Sequence, residues 1–568
     1  MQITKPERKF VHKELEINTW EDVLPYLENL KDRPITQKQD LEQWLKDRSE
    51  LEAVLEENLA WRYIKMSIDT TKEEYAKSYT FFVTEIQPKL APYDDVLNKK
   101  MMESSFISEF EGEDYFIYFR SIQKALDLYK EENVAIEAEL AELSQQFGSI
   151  SAAQTISYQG ENITMQKAST YLKNQDRQIR KEVYEKMVKR RSEDIETLDT
   201  LFSKLIQKRH QVALNAGFQN YRDYKFEAMG RFDYSKEDCF AFHNAIKKLI
   251  VPLVKKIALK HKEKLNVSVY KPYDTEVDPE GREPLKPFND GKDLLSNTVK
   301  TLNKIDPYFG SCLATMEEMN HLDLDSKPGK SPGGYNYPLY EVGVPFIFMN
   351  AVGSQRDLVT MVHEGGHAIH SFLSRDLPLT GFKSLPSEVA ELASMSMELL
   401  SMDYWDTFYT DESELNRAKR EQLETILKIL PWIATIDEFQ HWIYENPEHT
   451  VEERHQQWDL INASYGTGLV DYSGYEKAKS TSWQRQLHLF EVPFYYIEYA
   501  MAQLGALGIW KNSKTDFKQS IEHYKNALRL GYTKTIPEIY KTAGVQFDFS
   551  EKYVSELAEF VALELEKL

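Results

Sequence analysis

Two histidines four residues apart, His363 and His367, enclose Glu364, Gly365 and Gly366, and this short run constrains the chain more than any other segment. Residues i and i+4 share a face only in an α-helix, so the run makes sense as a helix offering two imidazoles to one point. Glu364 then lies about 100° round the helix from His363, close enough to take a proton from water held at the same point. Composition predicts only about 0.05 chance occurrences of this pattern in a chain of this length. The two glycines sharpen the reading. Each costs about 1 kcal/mol against Ala in a helix interior, a cost that makes sense where another backbone or a ligand comes close. Ser354-Gln355-Arg356-Asp357 fits the box that opens a helix, and Leu358, Val359, Met361 and Val362 follow it. The donor types suit zinc, which would lower the pKa of bound water to about 7.

A hydrolytic zinc takes a third protein ligand and keeps an open position. His370 is close in sequence, but the pattern with a downstream third histidine needs His-x-x-Gly-x-x-His. Here His370 occupies the Gly place and Leu373 the final His place. A carboxylate from the next helix is the alternative. That helix is predicted from Ser387, as N-cap, through Leu400, and it carries Glu388, Glu391 and Glu398. Glu391 and Glu398 share a face at i, i+7. Spacing leaves Glu388 and Glu391 both open as the ligand, with Glu398 suited to accept an imidazole N–H. Further on, His488, Tyr496 and Tyr499 form a set of polar aromatic donors. Pro493 suits a first helical turn, and the tyrosines would share a face at i, i+3. Their hydroxyls suit the oxyanion of a tetrahedral intermediate, although aromatic pairs at this spacing in a chain with 33 tyrosines are also ordinary core.

The rest of the chain reads as mostly α. Apolar residues recur at helical spacing over 37–67, 118–146, 165–213, 236–265 and 411–445. Strand signals are local: a hairpin over 156–164 turning near Gly160, a group over 267–277, and the apolar run 343–349. Pro345 cannot donate to a ladder, so the last is predicted to be an edge strand, able to pair with an extended peptide. With 91 acidic against 70 basic residues, the chain carries a formal charge of −21, which argues against nucleic acid as a partner. The basic runs at 186–191 and 255–264 have acids in or beside them and read as solvated helix faces. The longest apolar stretch, 344–352, is too short for a membrane span and contains Pro345 and Asn350. Two cysteines, Cys239 and Cys312, give no disulfide framework. With no apolar leader after Met1, the expected location is cytoplasmic.

Three groups of residues now combine. They are His363-Glu364-Gly365-Gly366-His367-Ala368-Ile369-His370, Glu391 with Glu398, and His488 with Tyr496 and Tyr499. Together they resemble the thimet oligopeptidase superfamily. The stretch from Pro345-Phe346-Ile347-Phe348 through Gly353-Ser354-Gln355-Arg356-Asp357 resembles its oligoendopeptidase F branch, which includes Pz-type peptidases. The motifs span roughly residues 333–510. One departure is that the interval from His488 to the tyrosine pair is a residue shorter than in thimet oligopeptidase.

The resemblance implies a mostly helical, two-lobed, zincin-like fold enclosing a deep channel for short peptides, with a small β element beside the zinc helix. It implies one Zn2+ per chain on His363, His367 and Glu391, with Glu364 as general base. His488, Tyr496 and Tyr499 would bind substrate and stabilise the oxyanion. The expected organisation is an N-terminal helical lobe over 1–200 and a catalytic helical lobe over 201–568, interwoven in part. The expected activity is hydrolysis of internal bonds in oligopeptides. A metallocarboxypeptidase and an inactive peptide-binding protein are the alternatives.

Overall fold

A computed structural model describes Met1 and residues 3–568. The described chain is mostly α, with one two-stranded and one three-stranded sheet. It divides into two compact units that alternate along the sequence. The first comprises Met1–Asp127, Leu285–Lys419 and Ala502–Phe547; the second comprises Leu128–Pro284, Arg420–Met501 and Asp548–Leu568. The first unit therefore draws residues from both sides of position 200. No helix among the described residues is long and apolar enough to cross a membrane.

Helices form where the apolar spacing predicts them, and local chemistry cuts the longer runs. The first is a single helix, Lys38–Ile68, with Leu41, Leu45, Leu51, Val54 and Leu55 buried. The run 165–213 becomes Met165–Thr170, a 3-10 turn, Arg177–Ser192 and Ile195–Asn215. Asp176 starts the third of these pieces by accepting the Gln178 N–H. The run 236–265 stays helical but widens to a π turn at Ile246–Ile250, just before Pro252. A second π turn, Phe82–Ile86, likewise precedes Pro88. In both places a proline with no N–H to donate disturbs the ladder of the preceding turn.

Strands β1 (Thr155–Tyr158) and β2 (Glu161–Thr164) form the expected hairpin in the second unit, with Tyr158 opposite Glu161. Gln159 and Gly160 both have positive φ, 52° and 85°, as a tight two-residue turn requires. The other sheet lies in the first unit: β3 (Leu322–Asp325), β4 (Tyr335–Tyr337) and β5 (Phe346–Ala351), in the order β3-β5-β4.

Two strand expectations are corrected here. The run around Phe346 is the central strand, parallel to β3 and antiparallel to β4, not an edge. Pro345 lies one residue ahead of the ladder, so its missing N–H costs no sheet bond. The segment 267–277 holds no strand; its regular part is a 3-10 turn, Pro272–Asp274. The buried Asp274 carboxylate accepts the Lys271 N–H and pairs with Arg177 and Arg180 at 2.7 and 2.9 Å, which fixes a turn where side-chain pattern alone suggests extension.

Candidate metal centre

From β5 the chain passes through Gly353, at φ +94°, into the helix Gln355–Ser374. The box at its start is closed. Ser354 Oγ accepts the Asp357 N–H at 3.3 Å, and Asp357 Oδ2 accepts the Ser354 and Val352 N–H groups at 2.9 and 3.0 Å. The next helix, Ser387–Met402, begins with Ser387 as its first residue and Pro386 as N-cap, one residue earlier than expected. Pro386 has no N–H and a fixed φ, so the chain enters the helix directly after it.

These two helices pack through Gly366. A methyl there would come within 2.6 Å of Ser394 Cα and 2.8 Å of the Ala393 carbonyl oxygen. Tyr524 donates to that same carbonyl at 2.8 Å, so it cannot move aside freely. At Gly365 a methyl would meet only the Leu313 and Leu302 side chains, at 3.8 and 4.0 Å. Gly366→Ala is therefore expected to destabilise by about 1–3 kcal/mol, whereas Gly365→Ala gains helix propensity of up to about 1 kcal/mol. Denaturant midpoints compare the two. Equal losses would mean that close approach is not what requires Gly366.

The close approach brings the donors together. His363, His367 and Glu391 each offer an atom, all within 4.8 Å of one another. Glu391 Oε2 lies 3.4 Å from His363 Nε2 and 3.9 Å from His367 Nε2. Two ligands about 2.05 Å from a tetrahedral zinc are about 3.3 Å apart, so the spacing suits one ion. The imidazole planes stand at 86°, and the two side chains keep 22% and 21% exposure.

Neighbouring groups hold these donors in place. His363 Nδ1 donates to Glu398 Oε1 at 2.7 Å, which leaves Nε2 for a cation. Ser394 Oγ donates to Glu391 Oε2 at 3.0 Å. Glu388, the other carboxylate left open by spacing, is buried and stands outside the group of donors; its backbone carbonyl accepts from Tyr540. His370 is also buried and outside the group. Ser394 and Tyr524 went unnoticed in the sequence. Ser394 has a weak signal, three residues after Glu391, but Tyr524 has none.

The electrostatics favour a cation here. Burial alone would lower His363, but the hydrogen bond to Glu398 and the charges of Glu398, Glu391 and Glu364 carry it up to about 9. Burial, with the charge of His363, pulls His367 down to about 4. Burial raises Glu364 and Glu391 above the usual carboxylate range, against the lowering effect of nearby histidine charge. Asn336 of β4 donates to the Glu364 carbonyl at 3.2 Å. A cavity of about 280 Å3 opens beside His367, with Asn336, Tyr340, Ser371, Arg375 and Lys383 in its lining.

In the second unit, His488, Tyr496 and Tyr499 come together as a group. The His488 ring is 4.5 Å from that of Tyr496 and 6.2 Å from that of Tyr499, and the tyrosine rings are 5.7 Å apart. Gln486 donates to His488 Nδ1 at 2.7 Å, which leaves its Nε2 to carry the proton. Pro493 lies in a turn, not in the helix, which begins at Tyr496. The turn contains Phe494 at φ +68°, whose N–H donates to Gln440 and whose carbonyl accepts from Arg231. Those bonds hold a conformation that L-residues rarely adopt.

Comparison with known proteins adds to this geometry. The model for peptidase family M3 matches residues 170–559, and that for the peptidase M3 N-terminal domain matches residues 10–129. Oligopeptidase PepF of Bacillus subtilis is 24% identical over 388 residues, 67% of this chain and 56% of the relative. An oligoendopeptidase F homolog of Borreliella burgdorferi is 25% identical over 400 residues, 68% of this chain and 64% of the relative. The chain thus spans less than two thirds of the length of these curated relatives. A solved structure of Pz peptidase A with an inhibitor superposes with a TM-score of 0.88 at 27% identity, over 99% of both chains.

Proposed function

This chain belongs to peptidase family M3, and on that basis we propose that it is a zinc-dependent endopeptidase that cleaves internal bonds of short peptides. The observation that carries the reading is the group of His363, His367 and Glu391 donors with Glu364 next to the first of them. Two imidazoles and a carboxylate, with an outer carboxylate orienting one imidazole, are a donor set suited to a single zinc with an open position. Zinc held by His363, His367 and Glu391 would supply Lewis acidity, polarising a peptide carbonyl and lowering the pKa of bound water to about 7. The names of the relatives, oligopeptidase and oligoendopeptidase, support short peptides as the substrate class.

The chain's own groups account for the remaining work. Glu364 takes a proton from the attacking water and passes it to the leaving amine. Its burial, which raises its proton affinity, suits a group that must accept and then donate. β4 is the outer strand of its sheet on this side, and an extended peptide backbone would add to it. The cavity beside His367 would take a substrate side chain, and Arg375 and Lys383 in its lining favour an acidic or carboxylate group there. Tyr496 and Tyr499 donate to the oxyanion, with His488 as a further substrate contact. Replacing either tyrosine with Phe should lower kcat by about 10²-fold and leave metal content unchanged; a change in KM alone would assign it to binding only.

Glu398→Gln tests the support of His363. It should weaken metal affinity by about 10–100-fold, read by titration with a competing chelator; unchanged affinity would remove Glu398 from the site. The whole reading is tested by mass spectrometry of products from a length series of peptides, each made with blocked and with free termini, with and without chelator. Cleavage that the chelator stops is expected. Cleavage only of peptides with a free C-terminus would indicate a carboxypeptidase, and binding without cleavage would indicate an inactive peptide-binding protein.

A further inference from the structure

A second cluster of metal-ligating side chains lies wholly within the second unit. The helix Lys236–Ala245 carries Cys239 and His243 four residues apart, and the helix Glu412–Glu445 carries Asp437 and His441 at the same interval. Each pair therefore occupies one helix face, and the two faces meet. Cys239, Asp437 and His441 each offer an atom within 4.8 Å of the others. Asp437 Oδ2 lies 2.8 Å from His243 Nε2 and 3.3 Å from His441 Nε2, and the two imidazole centres are 5.8 Å apart. Exposure is 0% for Cys239 and Asp437, 2% for His441 and 3% for His243, so this is interior, not a solvated patch.

The bonding within the cluster is incomplete. Asp437 Oδ1 and His441 Nδ1 are buried without a hydrogen-bond partner, and His441 Nε2 has only its 3.3 Å contact with Asp437 Oδ2. Around His441 stand the rings of Phe240, Phe494 and Phe226, at 4.9, 5.4 and 5.9 Å, which offer no acceptor or donor. Burying polar atoms unsatisfied in such surroundings is costly. The His243–Asp437 contact alone answers only one carboxylate oxygen and leaves the others unexplained. A cation held by Asp437 and one nitrogen of His441 would take up part of this deficit.

We propose that Cys239, Asp437 and His441 hold a buried zinc ion, separate from the His363 group, with His243 orienting the Asp437 carboxylate. A thiolate, an imidazole and a carboxylate are a borderline-soft donor set that selects zinc over calcium or magnesium. The 3.3 Å between the Asp437 and His441 donors matches one edge of a tetrahedron, and the 2.8 Å contact with His243 holds the carboxylate in place. On binding, the Cys239 thiol proton is released to solvent and sulfur donates its electron pair to the metal. Buried throughout, such an ion would have a structural role: it ties the two helices beneath Phe494, in the turn that leads into the helix of Tyr496 and Tyr499.

The experiment uses the full chain saturated with cobalt(II), freed of excess ion by gel filtration, and assayed for bound metal and for thiolate-to-cobalt charge-transfer absorption in the near ultraviolet. The wild type and the double variant His363→Ala/His367→Ala are both expected to show the band, the double variant holding one metal per chain. Adding Cys239→Ser or His441→Gln should remove the band and that metal, whereas Cys312→Ser should keep both. Bound cobalt without thiolate absorption, or a double variant that binds none, would overturn the proposal. Should the Cys239 and His441 variants fail to fold by circular dichroism, the wild-type and Cys312→Ser spectra decide, since Cys239 and Cys312 are the chain's two cysteines.

Discussion

Glu364→Gln is expected to lower peptide turnover by about 10²–10⁴-fold while metal content and thermal stability stay as in the wild type. The amide keeps the size and shape of the carboxylate and can still accept one hydrogen bond, but it cannot take a proton. The helix around it is set by the Ser354 box and by the contact at Gly366, neither of which involves the Glu364 side chain. Burial already disfavours its charge, so neutralising it should not destabilise the fold. Activity, metal content and melting temperature measured on one preparation separate the cases. Near-normal turnover would refute the role of Glu364 as base, and loss of metal would make it a ligand instead.

Glu391→Ala is expected to empty the site altogether. It removes the only carboxylate in the group of three donors, leaving two imidazoles, and at ordinary metal concentrations the chain should elute without a bound ion at this position and without activity. Ser394, which donates to Glu391 in the wild type, can turn its hydroxyl to its second acceptor, the Glu391 backbone carbonyl, so the helix should remain folded. Elemental analysis before and after gel filtration is the measurement, made in a Cys239→Ser background so that the other proposed site does not contribute. Retained stoichiometric zinc would transfer the ligand role to Glu388. Because Glu388 is buried to 2% exposure three residues from Glu391, that result would require the helix to rotate.

Spacing along the chain records what one helix or one turn decides by itself. The i, i+4 histidines, the i, i+7 pair Glu391 and Glu398, the Ser354 box and the hairpin turn at Gly160 are all local. Each depends on backbone geometry over a few residues, so spacing is enough. The two strand corrections come from residues distant in the chain. Pro345 suggested an edge strand because a proline inside a ladder would have to sit there, and the register placed it outside. The residues at 267–277 alternate as a strand does, but Asp274 finds two arginines some ninety positions earlier in the chain, and these long-range charges override a weak β preference.

The sequence by itself determined that this chain is mostly helical and that His363, Glu364 and His367 share one helix, because helical periodicity and capping are written in neighbouring residues. Only the tertiary structure decided which carboxylate reaches the imidazoles, why Gly366 but not Gly365 must be glycine, and that Cys239, His243, Asp437 and His441 meet. These follow from how closely separate helices approach. That distance is set by side chains distant in sequence, such as Tyr524 against Ala393, and no spacing within a single helix records it.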